Sequence, residues 1–317
     1  MIRVCDPQWV RFPSRLFFLG VWLVLGAFLL PSSADAQALE PRSYSNVPVG
    51  VNFALAGYIY GQGGLSVDPS VPLEDAKIDT HTGLIAGARS VGFWGKSGML
   101  SVLAPYTDLS GTAVVAGEPR SRHTHGFGDP LLRVSVNLLG APAMTLKEFV
   151  AYRQDCILGV SLLVSAPLGE YDSSRAVNLG ANRWSFKPEV GISKALGKWT
   201  VEGAGAVTLF TDNHDFYGGQ TREQEPIYSA QGHVVYSFLP GLWAALNATY
   251  YVGGRTTVEG DRKADLLQNW RCGATLALPI TRKHSLKVYA STGVHTSVGT
   301  DFDLVGIVWQ YRWGGGL

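Results

Sequence analysis

The sequence runs to 317 residues, with 26 basic and 25 acidic side chains and a formal net charge of +1. That balance gives no polybasic surface for nucleic acid, and three cysteines with no CxxC pair give neither a dense disulfide framework nor a redox or structural-metal motif. Few helix-period runs appear, and 38 glycines accompany frequent Tyr and Trp, so the expected class is all-β.

Residues 1–36 read as a signal peptide. Arg3, Arg11 and Arg15 supply a positive start, and Leu16–Leu30 is an unbroken apolar run. Ala34-Asp35-Ala36 then gives a small-x-small pattern before Gln37. The run is short of the roughly 20 residues a spanning helix needs, so an uncleaved anchor is the lesser alternative. The removed part carries three basic and two acidic residues, leaving 23 of each in a neutral mature chain. Beyond it no 18-residue apolar stretch occurs, so no transmembrane helix is expected. Cys156 and Cys272 remain; two free cysteines packed as small apolar residues are expected, a single disulfide being the alternative.

Twelve alternating segments follow: Val51–Tyr60, Ile78–Val91, Ser97–Tyr106, Pro130–Leu139, Cys156–Ala166, Ser185–Ala195, Thr200–Thr211, Ile227–Phe238, Leu242–Val252, Leu266–Leu278, Ser285–Thr296 and Asp303–Trp313. In Pro130–Leu139, for example, Leu132, Val134, Val136 and Leu138 oppose Arg133, Ser135 and Asn137. This period-two pattern suits a half-solvated sheet and a membrane barrel equally. Connection lengths separate them. Trp94–Lys96, Leu196–Trp199, Leu239–Gly241 and Pro279–His284 are short. Gly61–Lys77, Thr107–Asp129, Pro167–Trp184, Asp212–Pro226 and Gly253–Asp265 are longer and polar. Short and long connections alternate, as periplasmic turns and extracellular loops do in an outer-membrane barrel. Gly140–Asp155, with a possible helical turn at Leu146–Tyr152, and the short Ser297–Phe302 fit less well. Trp94, Trp199, Trp243, Trp309 and Trp313 are expected in one aromatic girdle, Trp184 and Trp270 in the other.

A charge on the lipid face would cost on the order of 2–4 kcal/mol at midplane depth. Polar residues within the strands are therefore assigned to the inner face. Arg133, Asn137, Lys187, Glu189, Glu202, His233, Asn247, Arg271, Lys287 and Arg312 are the candidate lumen-facing residues along a solute path. They either select solutes or merely fill the lumen with ion pairs. His123, His125 and Asp129 (RHTHGFGD) resemble a metal-ligand set, but a solvated Gly-rich loop is the expected reading and no metal is assigned. Gly126–Asp129 lacks the lysine and helix of a nucleotide loop. His233, near Ser229 and Gln231, raises a lipase-like alternative. No nucleophile motif supports it, no catalytic residue is assigned, and a luminal polar network is expected instead.

Several blocks resemble one family: Ser43–Phe53 (SYSNVPVGVNF), Gly126–Asp129, Asn137–Ala143 (NLLGAPA), Ala166–Tyr171 (APLGEY), Asn178–Pro188 (NLGANRWSFKP), Gln231–Tyr236 (QGHVVY), Tyr250–Arg255 (YYVGGR) and Val308–Trp313. Together they resemble the outer-membrane transporters of the MetA-pathway of phenol degradation, across nearly all of the mature chain. The resemblance implies a Gram-negative outer-membrane barrel admitting hydrophobic aromatic compounds. The end Gly314–Leu317 departs from the aromatic terminus usual for barrels.

The expectation is a transmembrane antiparallel β-barrel of about 12 strands over residues 51–313. A signal peptide (1–36) and an N-terminal periplasmic segment (37–50) precede it, and a tail (314–317) follows. Its expected role is a passive channel for small hydrophobic or aromatic solutes, with a narrow or plugged pore. No enzyme activity and no cofactor are expected. The expected partners are outer-membrane lipid, a small-molecule solute and the barrel-assembly machinery, with no nucleic acid. A barrel hydrolase and a structural or adhesive barrel are the alternatives.

Overall fold

The computed structural model describes residues 33–34, 40–65, 73–115, 118–175, 177–296 and 300–317. Of the expected signal peptide only Ser33–Ala34 is among them, registered against Phe302 and Asp301; the rest lies outside the described residues. No helix among the described residues is long and apolar enough to cross a membrane, and the strands do the crossing.

The twelve expected strands are all present, in order. They are β1 (Val51–Leu65), β2 (Leu73–Phe93), β3 (Lys96–Val115), β4 (in two pieces, Glu118–Phe127 and Leu131–Leu139), β5 (Cys156–Ser165), β6 (Ser185–Leu196), β7 (Trp199–Phe210), β8 (Ile227–Leu239), β9 (Leu242–Gly253), β10 (Leu267–Pro279), β11 (His284–Thr296) and β12 (Thr300–Gly314). Each pairs antiparallel with its sequence neighbours. β12 also pairs with β1 along its whole length, from Thr300 opposite Leu65 to Gly314 opposite Val51. The wall is thus a closed 12-stranded ring, so no strand edge is left for lipid to meet with unpaired backbone groups.

Closure sets the two faces. In β9, Ala245, Asn247, Thr249 and Tyr251 are buried, while Leu246 between them is 67% exposed. In β12, Leu304, Gly306 and Val308 are buried while Val305, Ile307 and Trp309 are exposed. Outward positions are therefore apolar, while the inward face carries the polar side chains together with apolar ones such as Leu304 and Val308. Six of the expected girdle tryptophans are exposed. His284, Trp309, Tyr311 and Trp313 stack on the outer face at the end where β1 begins and β12 ends. Trp243 is the exception. It shares the inward face with Ala245 and Asn247, and the Arg42 guanidinium lies 5.6 Å from its ring centre.

The short turns lie at the end where β1 begins and β12 ends. The β2–β3 turn is two residues, Trp94 and Gly95, at φ 47° and 77°, the mirror-image geometry that matches strand twist. The longer β4–β5 connection holds α1 (Leu146–Phe149), where Thr145 and Glu148 form a reciprocal capping box. Two segments expected as loops, Gly61–Lys77 and Thr107–Asp129, are mostly strand, since β1 to β4 extend beyond the other strands on the outer side. Their polar composition concealed them, because a strand outside the bilayer needs no apolar face. The outer loops 212–226 and 253–265 build a separate four-stranded sheet from Asn213–Phe216, Gln220–Gln224, Thr256–Val258 and Asp261–Arg262. The two cysteines among the described residues, Cys156 and Cys272, are free. At the C-terminus Gly314, Gly315 and Gly316 all have positive φ, and Leu317 N–H donates to Gly314 O. A Cβ on Gly315 would sit 2.6 Å from Val51 Cγ2, so glycine lets the tail turn back against the start of β1.

Placing a charge on the outward face near the middle of a strand should therefore be costly. Leu246→Arg is expected to lose about 2–4 kcal/mol of stability in a denaturant titration of the lipid-embedded barrel, whereas a polar substitution at the inward neighbour Ala245 should cost less.

Candidate functional site: the lumen and the segment inside it

The inner wall brings most of the expected lumen residues into two networks. The first centres on Glu189, whose side chain is 6% exposed. Its carboxylate accepts from Arg133 Nη2 at 3.1 Å, from Gln231 Nε2 at 3.0 Å and from the Tyr44 hydroxyl at 2.8 Å. Lys187 Nζ stands 3.8 Å away, and Arg133 also donates to Ser161 Oγ at 3.2 Å. The second follows one cross-strand row: Ser193 pairs with Glu202, Glu202 with His233, and His233 with Asn247. Ser193 donates to Glu202 at 2.8 Å, His233 Nδ1 lies 2.9 Å from Asn247 Oδ1, and Asn247 donates to Thr275 at 3.1 Å. The Asn247 amide thus ties the His233 ring into the wall network through Nδ1.

Asn137 donates to Ser97 Oγ at 3.0 Å and Arg271 to Ser291 Oγ at 2.7 Å, both within the wall. Lys287 is half-buried on the inner face, opposite Val308. Arg312 stands apart. It is exposed at the rim, where its Nε donates to Arg282 O in the β10–β11 turn.

Residues 40–50, the described part of the segment 37–50 expected in the periplasm, pack against the inner wall from the end where β1 begins. Val49 and Gly50 N–H donate to Met144 O and Ser90 O. Further along, Arg42 N–H donates to Glu202 at 2.6 Å, and Glu40 pairs with Arg133. Tyr44 is buried against two wall glycines that oppose each other across β5 and β6, Gly159 and Gly191. A Cβ on either would fall 2.1 or 2.2 Å from the Tyr44 ring. The composition of the wall thus provides the seat: glycine within a strand marks close approach by another group. Glu40, Arg42 and Tyr44 are lumen residues that strand periodicity could not show, since they lie outside any strand. The glycines facing them were the available signal.

Toward the outer mouth the lining becomes apolar. Ile78, Leu109 and Leu304 cluster with Ile59 and with Val177 and Leu179 of the β5–β6 loop. That loop is anchored by Asp129, whose two carboxylate oxygens accept from Gly169 N at 2.9 Å and Ala181 N at 2.8 Å. Asp129 is therefore committed to backbone and is not grouped with His123 and His125, which lie in the β4 strand and not in a loop. Above, the Arg183 guanidinium lies 4.5 Å from the Phe210 ring centre and Arg222 lies 5.0 Å from Phe216. The lining thus passes from a cationic, aromatic mouth through an apolar patch to the polar networks around Tyr44.

A closed barrel with apolar residues outward, aromatic girdles and a polar lumen is an integral protein of the bacterial outer membrane. The chain belongs to the family described as "Putative MetA-pathway of phenol degradation", whose model matches residues 51–311. It is similar in structure to the COG4313 outer membrane channel from Pseudomonas putida F1, with a TM-score of 0.72 at 22% identity, covering 87% of this chain and 100% of that one. It also matches the transport unit of the autotransporter AIDA-I from Escherichia coli, with a TM-score of 0.49 at 7% identity over 93% and 97% of the two chains. The CymD monoaromatic hydrocarbon channel matches with a TM-score of 0.42 at 7% identity over 86% and 90%. No curated protein matches the chain.

Burial alone would raise the Glu40 carboxyl, but Arg133, Lys287 and Lys187 around it prevail and hold it below its ordinary value of 4.5. Docking of residues 40–50 is therefore fully favoured above that value and weakens as pH falls through the lower, docked one. Hydrogen-exchange protection of residues 40–50, corrected for intrinsic rates, should drop on acidification below the ordinary carboxylate range, and Glu40→Gln should show the reduced protection already at neutral pH.

Proposed function

We propose that this protein is a passive outer-membrane channel for small hydrophobic or aromatic molecules, occluded at rest by its own N-terminal segment and without a catalytic step. The observation that carries this reading is Tyr44, seated on Gly159 and Gly191 inside the lumen and held by Glu189 and Ser161. A segment joined to the wall at β1 and held by hydrogen bonds and one ion pair can leave without unfolding the barrel. The phenol-degradation family supports an aromatic solute, and the apolar patch of Ile59, Ile78, Leu109 and Leu304 offers such a solute a surface that water does not favour. The paired guanidinium and ring groups at the mouth add affinity for aromatic faces. Lumen residues Arg133, Lys187, Glu189, Glu202, His233 and Asn247 then line the solute path once Tyr44 departs. Outer-membrane lipid and the barrel-assembly machinery are the partners such a channel requires.

The specific alternative is a structural barrel with a permanently closed lumen, favoured by how completely Glu189 and Glu202 are hydrogen-bonded. Planar-bilayer recording separates the two. The intact protein should show small or rare conductance steps. A variant lacking residues 37–48, or Gly191→Leu, should raise conductance by roughly twofold or more as lumen area opens, and should speed phenol uptake by proteoliposomes. Unchanged conductance and no phenol flux in either variant would support the structural barrel.

A further inference from the structure

On the outer side, β3 and the outer piece of β4 are neighbouring strands of the extension formed by β1 to β4, which runs past the aromatic residues Tyr106 and Phe127. His123 and His125 are two residues apart on one strand, so both imidazoles leave the same, outward face. Asp108 is the direct cross-strand partner of His125, and Ser110 that of His123, which sets Asp108 diagonally beside His123. Direct partners keep their Cβ atoms about 4.5–5.5 Å apart. His123 Nε2 lies 3.0 and 3.1 Å from the two Asp108 oxygens, and one donor atom from each of the three residues lies within 4.8 Å of the others.

We propose that Asp108, His123 and His125 form a binding site for one divalent first-row transition ion on the outer face of this extension. Two imidazoles and a carboxylate are the donor set that zinc, copper, nickel and ferrous iron accept. Metal–ligand distances of about 2.0–2.2 Å require donor atoms a little over 3 Å apart, which small side-chain rotations reach from the present spacing. Three protein ligands leave a further coordination position for water. The ladder supplies the preorganisation, because strand pairing fixes all three Cβ positions before any ion arrives. A simple His–Asp ion pair would need only His123; the ladder places a second imidazole, His125, 6.0 Å from the first, ring centre to ring centre. His81 is the cross-strand partner of Asp108 on its other side, but its Nδ1 is engaged by the Tyr58 hydroxyl at 2.6 Å. It is not counted as a ligand. The ion would bridge two strands beyond the membrane, where lipid no longer holds them, and the proposal is independent of the channel reading.

The test is zinc binding to the full mature protein in detergent micelles, with any purification tag removed. Titration against a chromophoric zinc chelator should show one saturable zinc per chain. His123→Ala, His125→Ala and Asp108→Asn should each weaken it by about tenfold or more, while His81→Ala should leave it unchanged. Heat-dependent electrophoretic mobility serves as the folding control for every variant. X-ray absorption of the zinc-loaded protein should show two imidazoles and oxygen donors. No saturable binding, binding that survives loss of both His123 and His125, or binding that depends equally on His81 would each overturn the assignment.

Discussion

The structure depends on one constraint: inside a bilayer every backbone N–H and C=O must find its partner within the protein. Antiparallel pairing of β12 with β1 meets it by removing the last free edge. Once the ring closes, side-chain direction is no longer a choice. Each strand must alternate, and a slip of one residue would turn Arg133 or Glu189 into lipid and Val134 or Val190 into the lumen. The apolar exterior, the stacked aromatics around Trp309 to Trp313 and the polar interior all follow from that closure.

A polar interior creates its own requirement. Glu189 and Glu202 are buried carboxylates, and buried charges must be paired or hydrogen-bonded. The wall supplies part of the answer through Arg133, Lys187, Ser193 and Gln231. Residues 40–50 supply the rest: Arg42 N–H reaches Glu202, and the Tyr44 hydroxyl reaches Glu189. The same contacts make that segment a structural complement of the wall and, on the proposed channel reading, a removable obstruction. Glycine at 159 and 191 reconciles the two, leaving a flat seat where any larger residue would displace the ring.

Much of this was legible in the amino-acid order. The twelve membrane strands were visible because lipid on one side and polar groups on the other impose a period of two. The alternation of short and long connections distinguished a barrel from a sandwich. The misreadings have equally physical causes. The arms of β1 to β4 beyond the membrane need no apolar outer face, so Thr107–Asp129 looked like a loop. Trp243 begins its strand as Trp199 does, yet only the register shows that it points inward to Arg42. Asp129 follows His125 closely in sequence, but its oxygens are taken by Gly169 and Ala181, and the carboxylate beside His123 is Asp108 from another strand.

The sequence by itself determined the class of the protein and the number and order of its wall strands. Those properties are local: each is set by the chemistry of a residue and its neighbour one or two positions away. Only the tertiary structure decided what fills the lumen and which charges meet there. Tyr44 joins Glu189 across 145 positions and Arg42 joins Glu202 across 160. Contacts of that span arise from ring closure, which brings distant strands around one axis and leaves no periodic trace in the chain.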